Sequence, residues 1–247
     1  MRLILTYHEV RDTGNEKCDF YTISPAQLDG QLAILIAQGR QSGRIEELPN
    51  GLPEDRFILT FDDGTADHFA VVLPILEKHR CHASFFIPTA KLDQPGYLTR
   101  AQVKAMAAAG HGIGSHSHEH QRMDILPEEE IRRQIARSQE ILAEITGAKP
   151  FTFVPPGGYT NERVRSAAAA LGMRALRTMR WGHNQKLDLM ALETVPINHY
   201  TDDKKFIKLL LPGGTSLLYT GKETLKRLVP IRSYEWLRRM VFKFRKS

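Results

Sequence analysis

The chain has 247 residues, 42% of them hydrophobic and 25% charged, with a formal net charge of +6. Length allows one large α/β domain or two small ones. With no repeat, no low-complexity tract and only Cys18 and Cys81, composition excludes a repeat array, a CxxC site and a disulfide framework.

The start, Met1-Arg2-Leu3-Ile4-Leu5-Thr6-Tyr7-His8, turns polar too soon for a signal peptide. No apolar run approaches the ~18 residues of a membrane helix, so the expected compartment is the cytoplasm. Leu3–Tyr7 is the first strand expected. Ser24 is placed to cap a helix over Pro25–Gln38, with Pro25 in the first turn. Phe57–Phe61 reads as a strand running straight into Asp62-Asp63-Gly64. A helical pattern over 66–79 and a strand over Ala83–Ile87 follow, the latter carrying Cys81 into a buried run.

Thr99 is a cap for a helix over 100–109, and Ile113–Ser115 is a short strand between glycines. A long amphipathic helix fits 127–146, opening on Pro127 and three glutamates and closing before Gly147. Phe151–Val154 is a strand stopped by Pro155-Pro156, and a helix over 161–171 stops at Gly172. Ala175–Thr178, Thr194–Ile197 and Ser216–Tyr219 are weaker strand signals. Such alternation predicts a parallel sheet, and about eight strands predict a barrel with its chemistry at the C-terminal ends of the strands.

Two segments carry the chemistry. In Thr60-Phe61-Asp62-Asp63-Gly64, adjacent carboxylates at a strand end repel unless they share a cation or a proton. Neighbours on an extended chain point apart, so the two acids take different jobs; a solvated Asp-Gly turn is the plain alternative. Some fifty residues later stands His116-Ser117-His118-Glu119-His120. On one helical turn His116 and His120 would face the same way, a spacing that suits two nitrogen ligands on one metal, with a carboxylate completing a site open to water.

Together these segments resemble the polysaccharide deacetylase family, the NodB homology domain or carbohydrate esterase family 4. The first family motif, T-F-D-D-G, is matched at 60–64, and the second, H-[ST]-x-x-H, at 116–120. Leu5-Thr6-Tyr7-His8-Glu9-Val10 resembles the opening strand of the poly-N-acetylglucosamine deacetylase branch, and the likeness runs over roughly residues 3–220. It implies a distorted (β/α) barrel of about seven or eight strands over residues 1–230, followed by a basic amphipathic segment, 231–247.

The resemblance also implies roles. Asp62 is the base; Asp63, His116 and His120 hold a divalent metal, usually zinc; an activated water attacks an acetamide carbonyl of an N-acetylated glycan. The third family motif, R-P-P-Y-G, departs here to Val154-Pro155-Pro156-Gly157-Gly158. The backbone donor of Gly157, beside Pro156, is retained for the oxyanion, but the arginine that steadies the base is Val154 and the tyrosine is Gly157. Trp181 either walls the sugar pocket or simply packs. The family's late L-x-H histidine is missing, which leaves His183, His199 and Tyr219 as weak candidates for the acid. His118 is expected behind the ligands or at the surface, and His8 at one end of the barrel.

Residues 232–247 carry six basic residues against Glu235, five of the six net positive charges, interleaved with Tyr234, Trp236, Phe242 and Phe244. The nearly neutral body gives no sign of nucleic-acid binding. The segment reads either as a helix on an anionic membrane at the inner face or as a terminal helix packed on the barrel. An intracellular address favours a polysaccharide or lipopolysaccharide biosynthetic intermediate over a finished wall polymer as substrate. Two rivals remain: a catalytically impaired glycan-binding barrel, which Val154 and the missing late histidine favour, and an amidase of the same fold acting on a small non-sugar amide. No Pro-Cys-x-x-Cys segment supports a nucleobase deaminase, and no G-x-G-x-x-G supports a Rossmann dehydrogenase.

Overall fold

A computed structural model describes residues 2–12, 14 and 18–211. The expected strand at 216–219, Tyr219 and the segment 231–247 lie outside the described residues.

Eight strands form among the described residues: β1 (Leu3–Tyr7), β2 (Ser42–Gly43), β3 (Phe57–Phe61), β4 (Ser84–Ile87), β5 (Gly112–Ser115), β6 (Thr152–Phe153), β7 (Ala175–Trp181) and β8 (Leu192–Pro196). Seven of them close a parallel barrel in the order β1-β3-β4-β5-β6-β7-β8, with β8 pairing back to β1. The extra strand, β2, pairs with Phe57 and Ile58, while β4 pairs with β3 only at Thr60 and Phe61. A two-residue strand carries no periodicity, which hides β2 from sequence reading.

Among the described residues six helices surround the barrel: α1 (Pro25–Ala37), α2 (Leu73–Lys78), α3 (Arg100–Ala108), α4 (Glu128–Thr146), α5 (Glu162–Ala170) and α6 (Asp203–Leu210). Ser24 and Thr99 cap α1 and α3 as expected, each in a capping box with the glutamine three residues on. Gly147 closes α4 in the left-handed region. The helix expected over 66–79 opens instead with a wide π turn at His68–Val72. Pro74 has no N–H to continue an ordinary ladder, and Leu73 bonds back five residues to His68. α6 was not expected; its short apolar stripe buries Phe206, Leu209 and Leu210.

Alternate strand residues face two cores. Leu3, Leu5, Tyr7, Phe57, Leu59, Phe61, Phe85 and Ile87 meet the helices in the outer cluster. Ile4, Ile58, Phe86, Val154, Ala175 and Leu192 cluster inside the barrel, floored by Ile45 and Leu48 of the 3₁₀ helix Ile45–Asn50 and by Leu52 just after it. The Glu46 carboxylate closes the floor: it accepts from Ser84 Oγ at 2.6 Å and Thr152 Oγ1 at 2.9 Å, at the first residues of β4 and β6. A Cβ at Gly112 would lie 2.1 Å from that carboxylate, so a side chain at the first residue of β5 would force Glu46 to shift. Above the floor, Thr6 bonds Thr60 at 2.9 Å and Thr194 at 2.6 Å. The polar residues of the site stand above this threonine belt, at the C-terminal ends of the strands.

Candidate active site

Asp62 follows β3 and Asp63 takes the left-handed region, φ 75°, with Gly64 also left-handed at φ 62°. The sharp exit parts the two carboxylates, as their adjacency in an extended strand suggested. Asp62 is buried, and Asp63 turns to the histidines: its Oδ1 lies 3.3 Å from His116 Nε2 and 2.9 Å from His120 Nε2.

The two histidines converge, but not on a helical turn. Residues 116–120 form a loop after β5 in which Ser117 and His120 are left-handed, at φ 65° and 61°. Non-glycine residues in that region cost free energy and cluster at functional sites. The loop is held from outside: Ser117 Oγ accepts from the His120 N–H, and Gln134 Oε1 of α4 accepts from the N–H groups of His118 and Glu119. His118 pairs instead with Thr89, its Nδ1 2.9 Å from Thr89 Oγ1.

These residues fit a metal. The ligand atoms of Asp63, His116 and His120 all lie within 4.8 Å of one another. His116 Nδ1 donates to the Val154 carbonyl at 2.6 Å, which fixes its tautomer and frees Nε2 as a ligand. His120 Nε2 is buried and faces Asp63 Oδ1 at 2.9 Å without an aligned hydrogen bond, an arrangement that a shared cation would satisfy. Two imidazoles and one carboxylate, with an open position, suit zinc and similar divalent ions.

Asp62 has a partner that sequence reading missed. Arg177, from β7, is fully buried and donates from Nη2 to Asp62 Oδ2. Its Nη1 donates to the Thr178 carbonyl at 3.2 Å, and its guanidinium carbon lies 5.7 Å from the Phe86 ring centroid. The expected arginine position, Val154, packs instead with the apolar barrel interior. The signal for Arg177 was its position two residues from Ala175, which faces the barrel interior, and it was readable only once β7 was known to lie beside β6. Burial works to raise the Asp62 pKa, but Arg177 and then His116 and His8 outweigh it and hold the carboxyl below its ordinary value. Asp62 Oδ1 is buried without a hydrogen-bond partner among the described residues.

His8 stands at the barrel mouth, after β1. Its Nε2 is 4.0 Å from Asp62 Oδ2, and its ring stacks on Tyr21 at 4.6 Å. His68, in the π turn, fixes it by donating to the His8 carbonyl at 2.8 Å. Burial lowers the His8 pKa, against the pull of Asp62 and Asp63.

Other expected residues scatter. Gly157, after β6, is left-handed at φ 66°, and a Cβ there would lie 2.8 Å from the Tyr159 ring. Tyr159 thus fills the space beside Gly157 where the family tyrosine was missed, and it holds Arg122 over its ring at 3.8 Å. Pro156 is buried next to it. Trp181, at the end of β7, is half-buried and packs on the outer cluster. His183 is not brought to Asp62. Its Nε2 donates to the Leu209 carbonyl, and its neighbour Asn184 donates to the Arg2 carbonyl at the opposite, N-terminal end of β1. His199 is exposed on the loop after β8, with Tyr200 and Cys18 as neighbours.

The sequence profile of the polysaccharide deacetylase family matches residues 50–176. The chain belongs to this family. Chitin deacetylase 1 of Cryptococcus neoformans is 29% identical over 116 residues, 47% of this chain and 24% of the relative. The peptidoglycan-N-acetylglucosamine deacetylase of Bacillus cereus is 29% identical over 192 residues, 75% of this chain and 85% of the relative. The chain spans 24%, 43% and 61% of the lengths of the first three curated relatives it matches. Among solved structures, the Streptococcus pyogenes deacetylase PplD in complex with acetate superposes with a TM-score of 0.78 at 23% identity, over 85% of this chain and 98% of that one. IcaB from Ammonifex degensii gives 0.73 at 22% identity, over 83% and 94%. Both share the distorted (β/α) barrel.

Proposed function

We propose that this polysaccharide deacetylase family member is a metal-dependent hydrolase that removes N-acetyl groups from a glycan. The observation that carries the reading is Asp62, with one oxygen held by Arg177 and the other left without a partner, beside the Asp63–His116–His120 cluster. Asp63, His116 and His120 would hold the metal, most often zinc in this family. Bound there, it supplies Lewis-acid polarisation of the acetamide carbonyl and a lowered pKa for the attacking water. Asp62 takes that proton through Oδ1. Arg177 keeps Asp62 ionised and aimed, and the backbone N–H of Gly157 donates to the developing oxyanion. His8, rather than His183 or His199, is the ring placed beside the base and hands a proton to the leaving amine.

Val154 and the missing late histidine favour a barrel that binds glycans without cleaving them; Arg177 on Asp62 answers the first of these and supports the catalytic reading. The substrate class is tested by acetate release from N-acetylated polysaccharides, lipid-linked biosynthetic intermediates and small non-sugar amides, with the His8→Gln protein alongside. Release from glycans, at least about 100-fold slower in the variant, is expected. Release from the small amides alone would replace the glycan reading with the amidase one.

A further inference from the structure

A row of aromatic rings leads away from the base across the catalytic face. His8 stacks on Tyr21, Tyr21 meets Phe20 edge-on at 5.0 Å, and Phe20 lies 6.0 Å from Tyr200. The rings come from two loops, after β1 and after β8, both at the C-terminal ends of adjacent strands. The loops are tied together: the His199 N–H donates to the Phe20 carbonyl at 3.0 Å, and Gln27 Nε2 donates to the His199 carbonyl. Lys205 Nζ donates to the Tyr200 carbonyl at 2.7 Å. Thr22 Oγ1 donates to the Glu9 carboxylate, the Ile23 N–H donates to the Glu9 carbonyl, and the Arg11 N–H donates to the Ile23 carbonyl. Yet the outer ring, Tyr200, is 56% exposed, a large apolar face that this bracing holds out into water.

We propose that Tyr21, Phe20 and Tyr200 form a glycan-chain subsite that receives the sugars next to the one being deacetylated. Each pyranose presents an apolar C–H face and a polar rim, which suits a rigid aromatic surface carrying a phenolic tip. Continuity from His8 outward makes the ligand an extended N-acetylated oligosaccharide, with the reacting acetamide at Asp62 and its neighbours along the row. Rings held in advance by the two tied loops bind without an ordering cost. The subsite rests on the glycan reading of the active site.

The test compares kcat/KM for acetate release from N-acetylglucosamine hexamers and dimers in the parent, Tyr200→Ala and Tyr200→Phe proteins. The hexamer-to-dimer ratio is expected to fall about tenfold in Tyr200→Ala, the loss of one stacking contact, and to be kept in Tyr200→Phe. A ratio unchanged in Tyr200→Ala overturns the subsite. Calorimetric titration of the hexamer into Asp62→Asn protein, with and without Tyr200→Ala, reads the subsite apart from turnover. Weakening of about tenfold supports it, and equal affinities overturn it. Absence of acetate release from both lengths in the parent would sink the deacetylase reading alone, while the titration still decides the subsite.

Discussion

Arg177 reaches Asp62 across the barrel lumen from β7, while the family pattern would have placed that charge at position 154 beside β6. The ion pair therefore joins the same two chemical groups from a different strand. Arg177 is enclosed on all sides, and Asp62 is 2% exposed, so neither charge has water to fall back on.

Breaking this pair leaves a buried carboxylate uncompensated. Arg177→Met is expected to cost about 3–5 kcal/mol of unfolding free energy, read by denaturant titration, and to lower acetate release with it. Adding Val154→Arg to Arg177→Met brings a guanidinium back from the neighbouring position and is expected to restore part of the activity. A double variant no better than Arg177→Met would show that only the β7 route positions Asp62.

A cation that binds the folded cluster stabilises the fold by mass action, about 2.7 kcal/mol at a hundred times its Kd. Zinc added to chelator-treated protein is expected to raise Tm by several degrees. His120→Ala and His116→Ala, measured the same way, are expected to lose most of that rise and the bound metal detected by elemental analysis. An equal rise in both variants would place the metal elsewhere.

Gly157 is constrained twice, by its left-handed backbone and by the Tyr159 ring. Gly157→Ala is expected to cost roughly 1 kcal/mol through the backbone alone, and more through displacement of the ring. In a Tyr159→Ala background the second part should vanish. Equal costs in the two backgrounds, by thermal or chemical unfolding, would mean that the ring does not press on the site.

Glu46 offers a pH test on the opposite face. Burial raises its pKa above the ordinary 4.5, against the bonds from Ser84 and Thr152. The folded state therefore keeps a proton that the unfolded state has released, and its contribution to stability declines as pH rises from about 4.5 through the raised value. Glu46→Gln carries no such titration. The stability of the variant relative to the parent is expected to improve steadily over that range in Tm measurements at successive pH values, and a constant difference would contradict an enclosed, titrating carboxylate.

Strands such as Leu3–Tyr7 and Phe57–Phe61 were legible because their runs are apolar on both faces, as buried parallel strands must be. The caps at Ser24 and Thr99 were legible because a local hydrogen bond decides them. The candidate metal ligands were legible as residue types at a spacing, but the geometry inferred for them was not: left-handed residues at Ser117 and His120, not a helical turn, bring the rings together. What sequence hid is non-local. Arg177 reads as one basic residue in a weak strand until the closed barrel carries it to Asp62, 115 residues away. His8 reads as a polar strand end until β1 pairs with β3 and aligns Tyr7 with Phe61. His183 and His199 satisfied a residue type without a place.

The most direct measurement is acetate release from an N-acetylglucosamine oligomer by metal-loaded parent and Asp62→Asn proteins, with metal content determined on both. The expected result is release by the parent, and a variant that keeps its metal but is slower by at least about 100-fold. A metal-loaded parent that releases no acetate from any glycan, or an Asp62→Asn protein as fast as the parent, would contradict a deacetylase built on Asp62.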